Sequence, residues 1–136
     1  MFATLSQPTA AGSVGRKQSI LVVEDERASR RALTSLLRTA GYDISEAESA
    51  EEALELIASG RLPAIALVDL NLPGMDGLEL IRRLRALDDA VFAILITAND
   101  SPYVRSHLLS GRVDYLRKPI NFGQLLQLIQ ERLPNA

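Results

Sequence analysis

The chain contains no cysteine and no tryptophan, and only one histidine, His107. Without thiols there is neither a disulfide framework nor a thiolate metal site, and a single imidazole does not build a zinc centre, so redox and zinc chemistry are excluded. There is no run of Lys and Arg, and 15 basic against 17 acidic residues leave a formal charge of -2. The electrostatic footprint of a nucleic-acid binder is missing, and no contact with DNA or RNA is expected. No window approaches the roughly 20 apolar residues of a membrane span, and no apolar stretch of signal-peptide length follows a basic flank at the N-terminus. A cytoplasmic chain with no membrane partner is expected.

What is present divides into a tail and one domain. Residues 1 to 17 are rich in Ser, Thr, Ala, Gly, Gln and Pro without a sustained period, and read as a flexible N-terminal tail. Residues 18 to 134 are enough for one domain with a core of its own and too few for two. Within them, short apolar runs alternate with helical patterns. Ser19 to Val23 is a strand that runs into Glu24-Asp25-Glu26, and Leu33, Leu36, Leu37 and Ala40 give a helix over about 27 to 40 that stops at Gly41. Tyr42 to Ala47 alternates as a half-buried edge strand. Ser49 with Glu52 is a capping box for a helix whose Ala53, Leu54, Ile57 and Ala58 face inward.

Ala64 to Val68 is an uncharged run that ends on Asp69 and the turn residues Asn71, Pro73, Gly74 and Gly77, the pattern of a strand buried on both faces. A third helix follows, with Leu78, Ile81, Leu84 and Leu87 inward. Val91 to Ile96 is the next strand, stopping on Thr97. A helix within Pro102 to Leu109 carries only Val104, Leu108 and Leu109 as its apolar stripe. Val113 to Leu116 is a last strand leading into Arg117-Lys118-Pro119, and Asn121 caps a final helix with Leu125, Leu128, Ile129 and Leu133 inward. Five strands alternating with five helices through short loops predict an α/β fold with a parallel sheet covered on both faces.

In such a sheet every strand points the same way, so the residues at the carboxyl ends share one edge. That edge collects Glu24, Asp25, Asp69, Thr97 and Lys118, at the place where open α/β sheets bind ligands. Three neighbouring carboxylates repel one another and raise at least one pKa unless positive charge is supplied. Oxygen donors without nitrogen or sulfur favour Mg²⁺, and Lys118 adds a second cation. Carboxylate, metal, ammonium and hydroxyl together suit phosphoryl transfer onto a carboxylate, with Asp69 as the nucleophile.

These residues carry a family resemblance. Leu-Val-Val-Glu-Asp-Glu at 21 to 26, Val-Asp-Leu-Asn-Leu-Pro-Gly-Met-Asp-Gly at 68 to 77, Ile-Thr-Ala at 96 to 98 and Asp-Tyr-Leu-Arg-Lys-Pro at 114 to 119 resemble the receiver domain of two-component response regulators over about 19 to 133. The resemblance implies a doubly wound, flavodoxin-like fold with strand order 2-1-3-4-5 and makes Asp69 the phosphoacceptor. It assigns Mg²⁺ to Asp25, Asp69, the backbone carbonyl of Asn71 and, mainly through water, Glu24. Thr97 and Lys118 contact the phosphoryl group, Tyr115 is the aromatic switch that follows Thr97, and the bond before Pro119 is cis. The implied partners are a sensor histidine kinase or histidine phosphotransfer protein and a downstream protein target. The latter, or a second copy in a homodimer, is met through the face of the fourth helix, fifth strand and fifth helix. The domain accepts and loses its own phosphate and does not turn over a free substrate.

Two departures are visible: Glu24 at the first acidic position, and a segment from Thr97 to Gly111 about one residue shorter than usual. Singly, each residue has a plainer reading: Asp69 as a turn former, Glu24 and Asp25 as charges complementing a helix start, Thr97 and Tyr115 as packing, Lys118 as a surface lysine. Two other functions fit parts of the pattern. One is a receiver-like module that binds protein without being phosphorylated. The other is a phosphatase of the haloacid dehalogenase type, which normally needs an aspartate where Asn71 stands.

Overall fold

Short apolar runs bounded by turn residues form the five strands β1 (Ser19–Val23), β2 (Asp43–Ala47), β3 (Ile65–Asp69), β4 (Phe92–Thr97) and β5 (Val113–Arg117). Four helices are present among the described residues, α1 (Arg27–Thr39), α2 (Ala50–Ala58), α3 (Gly77–Leu87) and α4 (Phe122–Arg132). The computed structural model describes residues 18–98 and 113–133. The tail expected over residues 1 to 17 and the helix expected within Pro102 to Leu109 lie outside the described residues, so α4 is the helix expected as the fifth.

All four strand pairings are parallel and the sheet order is β2-β1-β3-β4-β5. Alternation along the strands sends side chains to two cores. Ile20, Val22, Leu67, Ile94 and Ile96 meet Leu33 and Leu37 of α1 and Leu125 and Ile129 of α4 on one face. Leu21, Val23, Val68, Ala93 and Leu95 meet Ala53 and Ile57 of α2 and Leu80, Ile81 and Leu84 of α3 on the other. Every residue of β3 is buried, as befits the central strand.

The caps explain where the helices stop and start. At the end of α1 the Gly41 amide donates to the Arg38 carbonyl and the Tyr42 amide to Leu37, a closure that needs the positive φ of Gly41, 102°. Ser49 Oγ accepts from the Glu52 amide at 3.1 Å. The Glu52 carboxylate reaches back one residue beyond the usual capping box, accepting from the amide of Glu48 at 2.7 Å. Asn121 caps α4 by accepting from the Gln124 amide. Asp76 caps α3 in the same way, accepting from Glu79.

Several inward positions differ from the expectation. Ala40, Ala58 and Leu87 are exposed, Leu87 by 57%, while Thr34 and Leu80 are buried. All three exposed residues sit at or just past the last turn of a helix. Thr34 is tolerated inside because its hydroxyl donates to the Arg31 carbonyl of its own helix. No helix among the described residues is long and apolar enough to cross a membrane.

Candidate functional site

Register places the acidic residues. Val23 pairs with Val68, so one further step sets Glu24 at the end of β1 beside Asp69 at the end of β3. Asp69 pairs with Ile96, which sets Thr97 one residue further along β4, and Thr97 pairs with Arg117, which sets Lys118 at the mouth of β5. Backbone bonds tie the three loops at this edge: Leu70 donates to the Ile96 carbonyl and Lys118 to that of Thr97, each at 2.8 Å. The Lys118–Pro119 peptide bond is cis.

Asp69 is 2% exposed and Glu24 is equally enclosed, whereas Asp25 is exposed. One carboxylate oxygen from each of the three lies within 4.8 Å of the others. Lys118 Nζ donates to Asp69 Oδ2 at 2.9 Å and lies 3.8 Å from Glu24 Oε1. The other Asp69 oxygen accepts from the Asn71 amide at 2.9 Å, a turn that fixes the carboxylate. Glu24 Oε2 accepts from the Glu26 amide. Thr97 is fully buried. Tyr115 packs half-buried on the same sheet face as Leu95, its register partner, and therefore diagonally next to Thr97.

The electrostatics follow from enclosure. Burial pushes the Glu24 carboxyl up to about 7, and the neighbouring Asp69 adds to the rise. The Glu26 amide and the Lys118 ammonium oppose it without cancelling it. Burial works against the charge on Lys118, but the hydrogen bond and charge of Asp69, with Glu24 and Asp25 behind it, outweigh that and hold the ammonium above its usual range. Carboxylate crowding was the sequence argument for a raised pKa. In the structure the raised group is Glu24, and its enclosure is the larger cause.

One residue taken only as a turn has a second role. A Cβ at Gly77 would stand 2.5 Å from the Asp69 carbonyl oxygen and 2.9 Å from Leu70 Cα, so the start of α3 packs directly on the backbone that carries Asp69. Its amide donates to the Leu70 carbonyl at 2.8 Å. Nothing in the local pattern distinguishes this from an ordinary turn glycine.

A doubly wound parallel sheet with an acid trio and a lysine at its carboxyl edge defines a flavodoxin-like α/β protein with a site suited to a phosphoryl group beside a cation. The chain belongs to the response regulator receiver domain family, whose family model matches residues 20–130. Receiver domains of this family are the phospho-accepting parts of two-component systems. The chain is similar to a response regulator receiver domain protein (CheY-like) from Methanospirillum hungatei. That likeness is at 32% identity with a TM-score of 0.80, over 85% of this chain and 93% of that one. It is similar to the response regulator protein TrrA from Thermotoga maritima, solved in complex with Mg²⁺ and BeF, at 35% identity and a TM-score of 0.74 over 85% and 99% of the two chains. Among curated proteins it is 44% identical over 108 residues to the response regulator MprA of Mycolicibacterium vanbaalenii, covering 79% of this chain and 46% of that protein. The chain thus spans about half the length of that relative.

Proposed function

We infer that Asp69 is the phosphoacceptor, taking a phosphoryl group from a phosphohistidine on a sensor histidine kinase or histidine phosphotransfer protein. The observation that carries this is the enclosed Asp69 carboxylate with the Lys118 ammonium at 2.9 Å and the oxygens of Glu24 and Asp25 within 4.8 Å. An Asp69 oxygen attacks phosphorus, the phosphorus–nitrogen bond to the donor imidazole breaks, and the imidazole leaves. Lys118 neutralises charge on the phosphoryl oxygens, and Thr97 supplies a hydroxyl to them.

The donor set fits Mg²⁺: three carboxylates, with one lysine as the only facing cation among the described residues, and no nitrogen or sulfur ligand. Asp25, Asp69 and the Asn71 carbonyl would hold it, with Glu24 acting through water. When bound, the metal supplies positive charge for the oxygens of the transferring group. Mg²⁺ with BeF in the TrrA structure supports the same assignment. An apolar cleft of about 310 Å³, lined by Ala32, Leu33, Pro119, Ile120 and Phe122, opens beside Glu24 and Lys118 and offers the donor a way in.

The receiver unit is assigned to 18 to 134 and the tail to 1 to 17, in keeping with a family match over 20–130. The domain acts as an acceptor rather than a turnover enzyme, because the position two after Asp69 is Asn71, whose amide is no general acid. Phosphorylation draws Thr97 inward and Tyr115 follows. The face containing β5 and α4 then changes for a downstream target or a second copy. A cytoplasmic location for this exchange is part of the same proposal. The test is Mg²⁺-dependent labelling by acetyl phosphate. Wild-type protein takes up label and Asp69→Asn does not, and a labelled Asp69→Asn protein overturns the assignment.

A further inference from the structure

The loop that carries Glu24 and Asp25 is held from outside the site. Arg30, one turn into α1, sends Nη1 to the Glu24 carbonyl oxygen at 2.8 Å and Nε to Glu46 Oε1 at 3.2 Å. Its side chain is only 15% exposed. Glu46 stands on the edge strand β2, and its second oxygen takes Arg38 Nη2 at 3.4 Å. The Glu24 amide, on the other side of the same residue, donates to the Ala47 carbonyl of β2 at 3.1 Å.

The Glu24–Asp25 peptide is therefore fixed at its oxygen, with the amide before it already tied to the edge strand. A guanidinium suits this role because its rigid planar fork holds two acceptors in different directions at once, through Nε and Nη1. The Glu24 carbonyl is the last atom before Asp25, the exposed acid of the trio. A rotation of that peptide swings the Asp25 carboxylate away from Asp69.

We propose that Arg30, braced by Glu46, is a positioning residue that aims Asp25 and Glu24 at the divalent cation. This deepens the metal assignment made above and rests on it. Groups that orient metal ligands from behind cost about tenfold to a hundredfold in metal affinity when removed, and the partly exposed Arg30 belongs at the lower end.

Binding of Mn²⁺ to the full chain, read by electron paramagnetic resonance, tests this directly. Arg30→Met weakens Mn²⁺ binding about tenfold. It also raises the Mg²⁺ concentration for half-maximal acetyl phosphate labelling by a similar factor, and leaves the labelling rate at saturating Mg²⁺ within twofold of wild type. Glu46→Gln, at an exposed edge position where the fold is not at risk, weakens Mn²⁺ binding about threefold in the wild-type background and not at all in Arg30→Met. If both variants bind Mn²⁺ as wild type does while Arg30→Met merely melts at a lower temperature, Arg30 only staples α1 to the sheet and the proposal fails. Additive effects of the two substitutions would also overturn it, since the brace acts through Arg30 alone. Wild-type protein that binds Mn²⁺ but takes no label refutes the phosphoacceptor reading instead, and leaves the positioning role standing or falling on the binding data.

Discussion

Replacing Gly77 with alanine adds one methyl group where no space exists. The new Cβ would lie 2.5 Å from the Asp69 carbonyl oxygen, 2.9 Å from Leu70 Cα and 3.1 Å from the Asp69 carbonyl carbon. Comfortable carbon contacts begin near 3.5 Å, so a gap of about 1 Å has to open. All three atoms are backbone, at the end of a strand whose next residue is bonded to Ile96 at 2.8 Å, so no side chain can swing aside. Overpacking of this kind costs about 1 to 3 kcal/mol, and alanine returns up to about 1 kcal/mol by being the better helix former. The expected net loss is about 1 to 2 kcal/mol in urea unfolding.

The larger effect falls on chemistry. A shift of about 1 Å in Asp69 spoils the 2.9 Å contact with Lys118, and misplacement on that scale lowers a rate by up to about 100-fold. Acetyl phosphate labelling at fixed Mg²⁺ measures it. Gly60→Ala is the control: its φ of +100° also strains alanine, but nothing lies within 4 Å of the added carbon. That variant loses comparable stability and labels normally. If Gly77→Ala labels at the wild-type rate, or if Gly60→Ala is equally slow, the packing of α3 on Asp69 does not control the site.

Glu24 predicts a pH dependence. Its folded-state pKa of about 7 lies above the ordinary 4.5, so the folded chain keeps a proton that the unfolded chain releases. The favourable contribution is complete below about 4.5 and is lost as pH rises through 7, a fall of at most about 3 kcal/mol in metal-free protein. Melting in chelator from pH 5 to 8 shows it, and a Glu24→Gln protein with the same slope would contradict it. Lys118 shifts in the same direction at a higher range: its raised pKa adds stability that is present below the usual lysine range and disappears only in strong alkali. Leu80→Ala, at a fully buried position, is expected to cost about 2 to 5 kcal/mol, and Leu87→Ala, 57% exposed, less than about 1 kcal/mol. Equal losses in chemical denaturation would mean that the inward face of α3 is misassigned. Asn121→Ala removes the acceptor for the Gln124 amide and is expected to cost about 1 kcal/mol, read as a lower urea midpoint with unchanged slope.

Helix and strand identity was legible because it is local. Uncharged runs at Ile65 to Val68 and Ala93 to Ile96, a cap at Ser49 and a stop at Gly41 need nothing beyond their neighbours to act. The parallel sheet followed from alternation, and with it the meeting of Glu24, Asp25, Asp69 and Lys118 at one edge. Legibility failed at helix ends. Leu87 and Ala40 continue an apolar period, but the period does not say whether anything packs over the last turn.

The chain alone therefore determined which groups share the edge, because in a parallel sheet every strand delivers its carboxyl end to the same side. Only the three-dimensional packing decided how they stand toward one another. Register puts Glu24 against Asp69, enclosure more than repulsion lifts its pKa, and Gly77 abuts the Asp69 backbone. Arg30, on what reads as the solvent face of a helix, reaches back to the loop of the acids because β2 brings Glu46 within its span. Contacts of this sort depend on distances between segments far apart in the chain, and a periodic pattern holds no information about those.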